Sequence, residues 1–269
     1  MNYRLGLFDS GIGGTTVLKS IKERHSEFKA VYLADTARMP YGSRSPVEIR
    51  VIAQEIIQWF NVQQIDAIIV ACNTTNSLAL DVIKKHSIFP IFDLVNSTVE
   101  LIKASDSRLG VLATSSTVSS KAYTKSIHTF YPNIYVIEEG CPELVPMIEE
   151  GDLSSTECID VITKHLEPLL AADVEAIVLG CSHYPILKPM LTKLLPSHIR
   201  LIDPSIGLAK KLDNFLKTPH LSLETSKKKI EIHFCVTSDP FGFSTKMQSL
   251  LGIKPEVEVI SLRSPSCVS

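Results

Sequence analysis

The stretch IDAIIVACNTTN at residues 65–76 ends a hydrophobic run on a cysteine that small polar residues follow. The stretch VEAIVLGCSHYP at residues 174–185 has the same pattern, and the two align without a gap over their first eight positions, which end on the two cysteines. A second pair, RLGLFDSGIGG at 4–14 and RLGVLATSSTV at 108–118, has nearly the same separation. These repeats predict two similar halves, each opening with an Arg-Leu-Gly strand and carrying a later strand that ends at its cysteine.

Short hydrophobic runs alternate along the chain with longer amphipathic segments. Strands that alternate with helices indicate parallel sheets covered by helices on both faces. We therefore predict an α/β fold of two pseudo-symmetric α/β domains with mainly parallel sheets. The clearest helix is predicted at 45–64, with Ser45 as N-cap and Pro46 at the first position. Further helices are predicted at 74–86, 153–172 and 185–195. Strands are predicted at 5–9, 30–35, 67–72, 88–94, 109–114, 134–139, 176–181, 199–204 and 230–236.

The ends of the predicted strands carry the polar and nucleophilic residues. Asp9, Cys72, Thr114 and Cys181 each lie at the carboxyl end of a strand, where open α/β sheets bind their ligands. If the two halves face each other, the two cysteines approach one cleft from opposite sides.

The composition is that of an ordinary globular chain of 269 residues, enough for one large domain or two modest ones. A net charge of −2 gives no indication of a nucleic-acid partner or an anionic membrane. The longest apolar runs are strand-sized, and the N-terminal sequence enters a strand at once without the features of a signal peptide. We expect a cytoplasmic protein.

The chain has six cysteines, and their wide spacing predicts free thiols rather than a disulfide scaffold. Cys141, Cys158 and Cys235 are expected to be small buried hydrophobes. Cys72 and Cys181 differ, because they recur in matched settings. A zinc site needs three or four ligands, and no second Cys/His cluster lies near the Cys-x-His of CSHYP, so we expect no metal.

Three further segments allow a structural or a functional interpretation. FDSGIGGTT at 8–16 joins a strand to a helix, and its N–H groups suit an anion, although a tight turn alone would also account for the glycines. ADTARMPYGSRS at 34–45 suits either a pocket wall or a structural turn. From the residues alone, Glu149 and Glu150 are expected to be solvated.

The segment CNTTN at 72–76 begins a predicted helix. A thiol at a helix N-terminus has its pKa lowered from about 8.5 toward neutrality, and we expect this of the cysteine here. Asn73, Thr74 and Thr75 supply donors for a carboxylate.

Two matched cysteines suit inversion of a stereocentre by proton transfer. This reaction needs a base on one face of the carbon and an acid on the other, and a thiolate and a thiol exchange these roles with direction. A single cysteine with a histidine would instead suggest a hydrolase with an acyl-enzyme intermediate. Each thiol needs a neighbour that tunes its protonation, Asp9 for one and His183 for the other.

Several segments together resemble the signature blocks of the cofactor-independent glutamate racemases, within the aspartate/glutamate racemase superfamily. They are GLFDSGIGG, ADTARMPYG, ACNTT, LVPMIEEG and GCSHYP. The resemblance spans most of the chain in order and includes TSDPFGF at 237–243.

The resemblance implies that Cys72 and Cys181 are the two catalytic thiols, assisted by Asp9 and His183. It also matches Glu149, and not the next residue, to a glutamate of the family pattern, which replaces the solvated interpretation. The carboxylates and ammonium of an amino-acid substrate would be held by Ser10, Pro40, Tyr41, Gly42, Asn73, Thr74, Thr114, Thr117 and Ser182.

The fold implied by the resemblance has its active site in the cleft between two domains. The first would comprise residues 1–95 and 208–269, and the second residues 96–207. The family needs no pyridoxal phosphate, metal or nucleotide, and a cytoplasmic homodimer is usual for it.

Two departures from the family pattern concern the substrate rather than the reaction. Ser182 stands where the family usually has threonine, and Asn96 opens a segment where a Pro- or Gly-containing turn is typical. Both are expected near the substrate side chain. Since a pocket discriminates one methylene by only about 1–3 kcal/mol, racemisation of aspartate is the alternative.

Two further alternatives come from other functional classes. A non-catalytic amino-acid-binding protein is disfavoured because binding alone needs no thiols. A cysteine amidase or lyase on the same scaffold is disfavoured because one cysteine would suffice for it.

Overall fold

The computed structural model describes residues 3–151, 153–216 and 229–262. Within these residues the strands form two sheets, and every pair of neighbouring strands is parallel. The strands are β1 (Arg4–Asp9), β2 (Glu27–Ala34), β3 (Ala67–Val70), β4 (Ile91–Asp93), β5 (Arg108–Ala113), β6 (Tyr135–Gly140), β7 (Ala176–Gly180), β8 (Arg200–Ile202), β9 (Lys229–Val236) and β10 (Val257–Val259). The first sheet has the order β10-β9-β2-β1-β3-β4, and the second has the order β6-β5-β7-β8.

Helices connect successive strands, as parallel pairing requires. The helices are α1 (Gly14–Arg24), α2 (Pro46–Asn61), α3 (Asn73–His86), α4 (Leu94–Ser97), α5 (Ser115–Ser120), α6 (Ala122–Phe130), α7 (Leu144–Glu150), α8 (Thr156–Ala171), α9 (Lys188–Leu194), α10 (Pro204–Leu216) and α11 (Pro240–Leu251). Helical segments of one 3₁₀ turn lie at Tyr41–Ser43, Thr98–Leu101 and Tyr184–Leu187.

The strand order confirms the predicted duplication. In the first sheet β2-β1-β3-β4 are neighbours, and in the second β6-β5-β7-β8 repeat this arrangement. The two Arg-Leu-Gly strands β1 and β5 are equivalent, as are β3 and β7, which precede the two cysteines. The fold is therefore α/β with two pseudo-symmetric parallel units.

Apart from shifted bounds and helices for which no range was predicted, two elements differ from the sequence prediction. The edge strand β10 was not predicted, because three residues with a central glutamate carry too little hydrophobic periodicity. The single helix predicted at 185–195 is a 3₁₀ turn followed by α9. Pro189 lies in the first turn of α9, where its missing N–H is tolerated, but the same residue would interrupt a longer helix.

Alternate residues of the strands pack on opposite faces of each sheet. In β1, Leu5 and Leu7 join one apolar cluster, whereas Phe8 joins the cluster beneath α2. The second sheet likewise has a cluster on each face. Cys141, Cys158 and Cys235 are buried, as predicted from the sequence. No helix within the described residues is both long and apolar enough for a bilayer span.

Helix α10 returns the chain to the first sheet. Leu208, Leu212 and Leu216 are buried in the same apolar cluster as Leu5 of β1. Strands β9 and β10 then extend that sheet. Of the segment 208–269, the stretches 217–228 and 263–269 lie outside the described residues.

Helix α2 begins with the predicted cap. Ser45 Oγ accepts a hydrogen bond from the Glu48 N–H, and the Glu48 side chain accepts one from the Ser45 N–H at 3.0 Å. This reciprocal capping box satisfies two N–H groups that the helix itself leaves unpaired.

Ser45→Ala removes one half of this box, so we expect it to lower the free energy of unfolding by about 1 kcal/mol. Urea denaturation followed by circular dichroism measures the effect. Ser45→Thr preserves the hydroxyl that accepts from the Glu48 N–H and donates to the Glu48 carboxylate, so it should behave like the wild type. Equal midpoints for the alanine variant and the wild type would contradict the assignment.

Candidate active site

A cavity of 270 Å³ lies between the carboxyl ends of the two sheets. Its volume is near the lower end of the range for small-molecule sites, about 300–1,000 Å³. Residues from both halves line it. They are Ser10, Pro40, Tyr41, Gly42, Ser43, Cys72, Asn73, Thr74, Thr114, Ser115, Pro142, Val145, Pro146, Cys181, Ser182 and His183.

The two thiols reach this cavity from equivalent positions. Cys72 follows β3 and is the N-cap of α3, and Cys181 follows β7. Their exposed fractions are 4% and 5%. The cleft therefore brings together two nearly buried sulfur atoms from opposite halves of the duplication.

The predicted lowering of the Cys72 pKa is wrong for this structure. Burial, together with the nearby Asp9 carboxylate, raises the pKa of Cys72 to about 12. The Thr75 N–H and hydroxyl act in the opposite direction and lower it. Thr75 Oγ1 is buried and bonds to no nitrogen or oxygen atom of the described chain, so it is available to a thiolate.

Asp9 occupies the anion position that the glycine turn was predicted to form. Its Oδ2 accepts hydrogen bonds from the N–H groups of Gly11 at 3.2 Å and Gly14 at 3.0 Å. Its Oδ1 accepts one from Ser182 Oγ at 3.1 Å, which links the two halves. Complete burial raises the pKa of Asp9, although the charge of His183 opposes this. The turn thus holds its own carboxylate rather than an external anion.

Three side chains form a line on the Cys181 side. His183 Nδ1 lies 3.9 Å from Cys181 Sγ, and His183 Nε2 lies 2.8 Å from Glu149 Oε1. Burial works against the imidazolium, but its bonds to the thiol and the carboxylate raise the pKa of His183 well above its ordinary value. Burial likewise disfavours the Glu149 carboxylate, yet His183 and Lys246 lower its pKa to about 2.

Glu149 corrects the interpretation made from the residues alone. Its exposed fraction is 8%, so it is buried behind His183 rather than solvated, whereas Glu150 is exposed. No local pattern separates the two glutamates. Helix α7 decides between them, because Glu149 follows Ile148 and Val145 onto the buried face.

Close contact between the halves requires glycine at Gly13. A Cβ there would lie 2.4 Å from His183 Nδ1 and 2.5 Å from Ser182 Oγ. Gly13, the second glycine of GIGG, thus makes room for the Cys-Ser-His turn of the other half. The residues of the turn alone did not predict this role.

Hydroxyl groups connect the halves on the other wall. Thr74 Oγ1 and Thr114 Oγ1 are 3.0 Å apart, and Thr114 Oγ1 and Thr117 Oγ1 are also 3.0 Å apart. Thr114 lines the cavity, but Thr117 is fully buried behind it.

Asn96 was expected near the substrate side chain, but it does not line the cavity. Its amide bonds the Asp93 carboxylate at 3.0 Å.

The loop before α2 is both a pocket wall and a structural turn. Its Met39–Pro40 peptide bond is cis. Tyr41 Oη donates to Asp35 Oδ2 at 2.5 Å, and Arg38 Nε donates to the same oxygen at 2.7 Å. The buried Asp35 carboxylate, held by the partly exposed Arg38, thus fixes Tyr41 against the cavity.

Several residues of the site were not predicted from the sequence. Lys246 Nζ lies 2.7 Å from Glu149 Oε2. Pro142, Val145 and Pro146 form an apolar wall of the cavity. The motifs gave no indication of them, since apolar wall residues and a helical lysine have no characteristic spacing.

In the described part of the chain, one group of three side chains of the types that bind metal ions has its ligand atoms within 4.8 Å of one another, and it lies outside the cleft. They are His233, Cys235 and Glu258, on the edge strand β10 and its neighbour β9. Cys181 and His183 do not belong to this cluster.

Comparison with known proteins accords with the geometry of the cleft. Residues 13–211 match the family model described as Asp/Glu/Hydantoin racemase. The chain belongs to this racemase family. A curated member, the glutamate racemase of Prochlorococcus marinus (strain NATL2A), is 47% identical over 266 residues, which cover 99% of this chain and 100% of that protein.

Solved structures of the racemase family share the fold. The glutamate racemase of Francisella tularensis subsp. tularensis SCHU S4, solved in complex with D-glutamate, is 35% identical with a TM-score of 0.88. The match covers 98% of this chain and 99% of that one. The aspartate racemase of Picrophilus torridus has a TM-score of 0.54 at 20% identity, over 80% of this chain and 95% of its own, and therefore shares the fold alone.

Replacing Thr75 by valine keeps its shape but removes the hydroxyl that faces Cys72. We expect the pKa of Cys72 to rise and its alkylation by iodoacetamide at pH 9 to slow about tenfold, because a hydrogen bond to a charged group contributes about 1.5–3 kcal/mol. Peptide mass mapping measures the rate at each cysteine.

Thr75→Ser restores the hydroxyl and is the matched control for this prediction. Its Cys72 should react at the wild-type rate, and Cys181 should react alike in all three proteins. A valine variant whose Cys72 reacts as fast as the wild type would show that the hydroxyl does not contact the thiolate.

Proposed function

We propose that this protein interconverts L- and D-glutamate by proton transfer at Cα between two thiols. The observation that carries the proposal is the placement of Cys72 and Cys181 at the ends of equivalent strands, on one cavity between two halves. A planar carbanion can be protonated from either face, so a proton donor and a proton acceptor on opposite sides are what inversion requires.

In the proposed mechanism one cysteine begins as the thiolate and the other as the thiol. The thiolate removes the Cα proton, and the thiol delivers its own proton to the opposite face. The Cα–H bond on one face breaks to give the carbanion, and a new Cα–H bond then forms on the opposite face. The two sulfur atoms end with their protonation states exchanged. The reverse direction uses the same groups in the opposite roles.

Each thiol has its own titratable partner in this proposal. On one side the Asp9 carboxylate, whose pKa is raised by burial, would take up the proton that Cys72 must lose and become a neutral carboxyl. On the other side His183, with its raised pKa, provides a positive charge beside Cys181. Glu149 orients His183 through its 2.8 Å contact.

Neutral donors would hold the substrate. No lysine or arginine of the described chain lines the cavity, whereas hydroxyls, amides and backbone N–H groups do. Neutral hydrogen bonds can hold the substrate carboxylates. The charges near Cα are then those of the two thiols and their titratable partners. The residues proposed to hold the substrate are Ser10, Pro40, Tyr41, Gly42, Asn73, Thr74, Thr114 and Ser182, with Thr117 bonded behind Thr114. Pro40 has no N–H and offers only its carbonyl oxygen, an acceptor that suits the ammonium.

Glutamate is favoured over aspartate as the substrate. The relatives that match nearly the whole chain at 47% and 35% identity are glutamate racemases, and the latter is a complex with D-glutamate. Ser182, one of the two departures from the family pattern, keeps the hydroxyl and bonds Asp9. The other, Asn96, is bonded to Asp93 away from the cavity.

We further propose the division into a first domain of residues 1–95 and 208–269 and a second of residues 96–207. The two separate sheets and the packing of α10 on the first sheet support it. The family resemblance supports a cytoplasmic homodimer, which light scattering after size exclusion would test.

The decisive experiment follows L-glutamate and L-aspartate by circular dichroism in deuterated buffer, without added cofactor. We expect the glutamate signal to decay and deuterium to appear at Cα. Decay with aspartate alone would overturn the substrate assignment, and no decay with either would overturn the racemase proposal.

Single variants test the two-thiol mechanism. Cys72→Ser and Cys181→Ser should each lower racemisation by at least about a thousandfold, because one face of Cα then lacks its thiol. Each variant should still exchange the Cα hydrogen of one enantiomer, and the two variants should prefer opposite enantiomers. Cys141→Ala removes a buried thiol outside the cavity and is the control. Full activity of Cys72→Ser would falsify the mechanism.

A further inference from the structure

We propose that Lys246 is a positioning residue for the racemisation, which fixes the orientation of His183 beside Cys181 by holding the second oxygen of Glu149. The inference rests on the proposed function, because it assigns Lys246 to the same reaction. Lys246 lies on α11, beyond the residues 13–211 that the family model matches.

Four groups form a continuous line from the helix to the thiol. Lys246 Nζ lies 2.7 Å from Glu149 Oε2, and Glu149 Oε1 lies 2.8 Å from His183 Nε2. His183 Nδ1 then faces Cys181 Sγ at 3.9 Å. The two carboxylate oxygens have different partners, so Glu149 cannot rotate without breaking one of these contacts.

The position of Lys246 separates it from substrate binding. It does not line the 270 Å³ cavity. Together with Glu149 it lines a separate cavity of 70 Å³, whose wall also includes Asp239 at the start of α11. The Lys246 side chain is 39% exposed, whereas that of Glu149 is 7% exposed. A change at Lys246 therefore reaches the thiol through the carboxylate and leaves the substrate wall intact.

The positive charge of Lys246 also bears on protonation. The charged or titratable groups that face Glu149 and His183 are Lys246, Cys181, Asp9, Asp239 across the 70 Å³ cavity and, more weakly, the Tyr32 hydroxyl. Removing one positive charge raises the pKa of every acid near it. Without Lys246, the imidazolium of His183 should lose its proton at higher pH.

Lys246→Met tests the proposal in the full-length protein. We expect kcat to fall roughly tenfold and KM for glutamate to stay within about twofold, since the lysine acts through Glu149 and not on the substrate. The alkaline limb of kcat/KM should move upward by roughly 0.5–1 pH unit, and the alkylation of Cys181 by iodoacetamide should change in rate because His183 beside it is no longer held in place. Lys246→Arg keeps the charge and the contact and should restore both properties.

Lys188→Met is a closely matched control. Lys188 Nζ lies 2.7 Å from Asp203 Oδ2, with side-chain exposures of 36% and 6%. The variant therefore loses a similar half-buried ion pair, but one away from the cavity. It should leave kcat and the pH profile unchanged. Thermal melts of all variants check that they fold.

Three outcomes would overturn the positioning role. They are an unshifted pH profile in Lys246→Met, a rise in KM as large as the fall in kcat, or no recovery in a folded Lys246→Arg. Failure of the proposed function is distinguishable, because the wild type would then show no exchange with glutamate. The alkylation of Cys181 would still report whether Lys246 influences the thiol.

Discussion

The hydrogen bond from Ser182 Oγ to Asp9 Oδ1 joins the carboxyl ends of the two sheets in the middle of the cleft. Its neighbours reinforce it, since Thr16 Oγ1 donates to Ser182 O at 2.8 Å. Both contacts are buried, and separating the halves would leave the Asp9 carboxylate with fewer donors, which is costly away from water. Gly13 allows this approach because no Cβ stands in the way. The thiols face one cavity as a consequence of this polar contact.

The duplication places two thiols symmetrically but gives them different chemical partners. In the aligned repeats, the position of Asp9 is occupied in the second half by Ala113, and the position of His183 is occupied in the first half by Thr74. One thiol therefore lies near a carboxylate and the other near an imidazole. In the proposed mechanism, the equivalent backbone geometry would supply the two faces of attack. The unequal partners would set the protonation states from which each direction of the reaction begins.

Periodicity and repetition were sufficient to predict the parallel strands, the capped helix α2 and the convergence of Cys72 and Cys181, because these depend on local pattern and on a rule about strand ends. The pKa of Cys72 was mispredicted because a helix N-terminus is a local feature, whereas burial and the Asp9 charge are tertiary ones. Only the family resemblance distinguished Glu149 from Glu150 before the structure showed Glu149 buried beside His183. Its buried position follows from the packing of α7, which single residues do not encode.

The last part of the chain shows why position in sequence is a poor guide to position in the site. After the second sheet is complete, α10 returns to the first sheet, and β9 and β10 extend its edge. Helix α11 connects these two strands and thereby reaches the back of Glu149, which belongs to the other half. The ion pair between Lys246 and Glu149 thus ties the closing segment of one half to the histidine of the other. Through this contact, the position of the histidine beside Cys181 depends on how the two halves are held together.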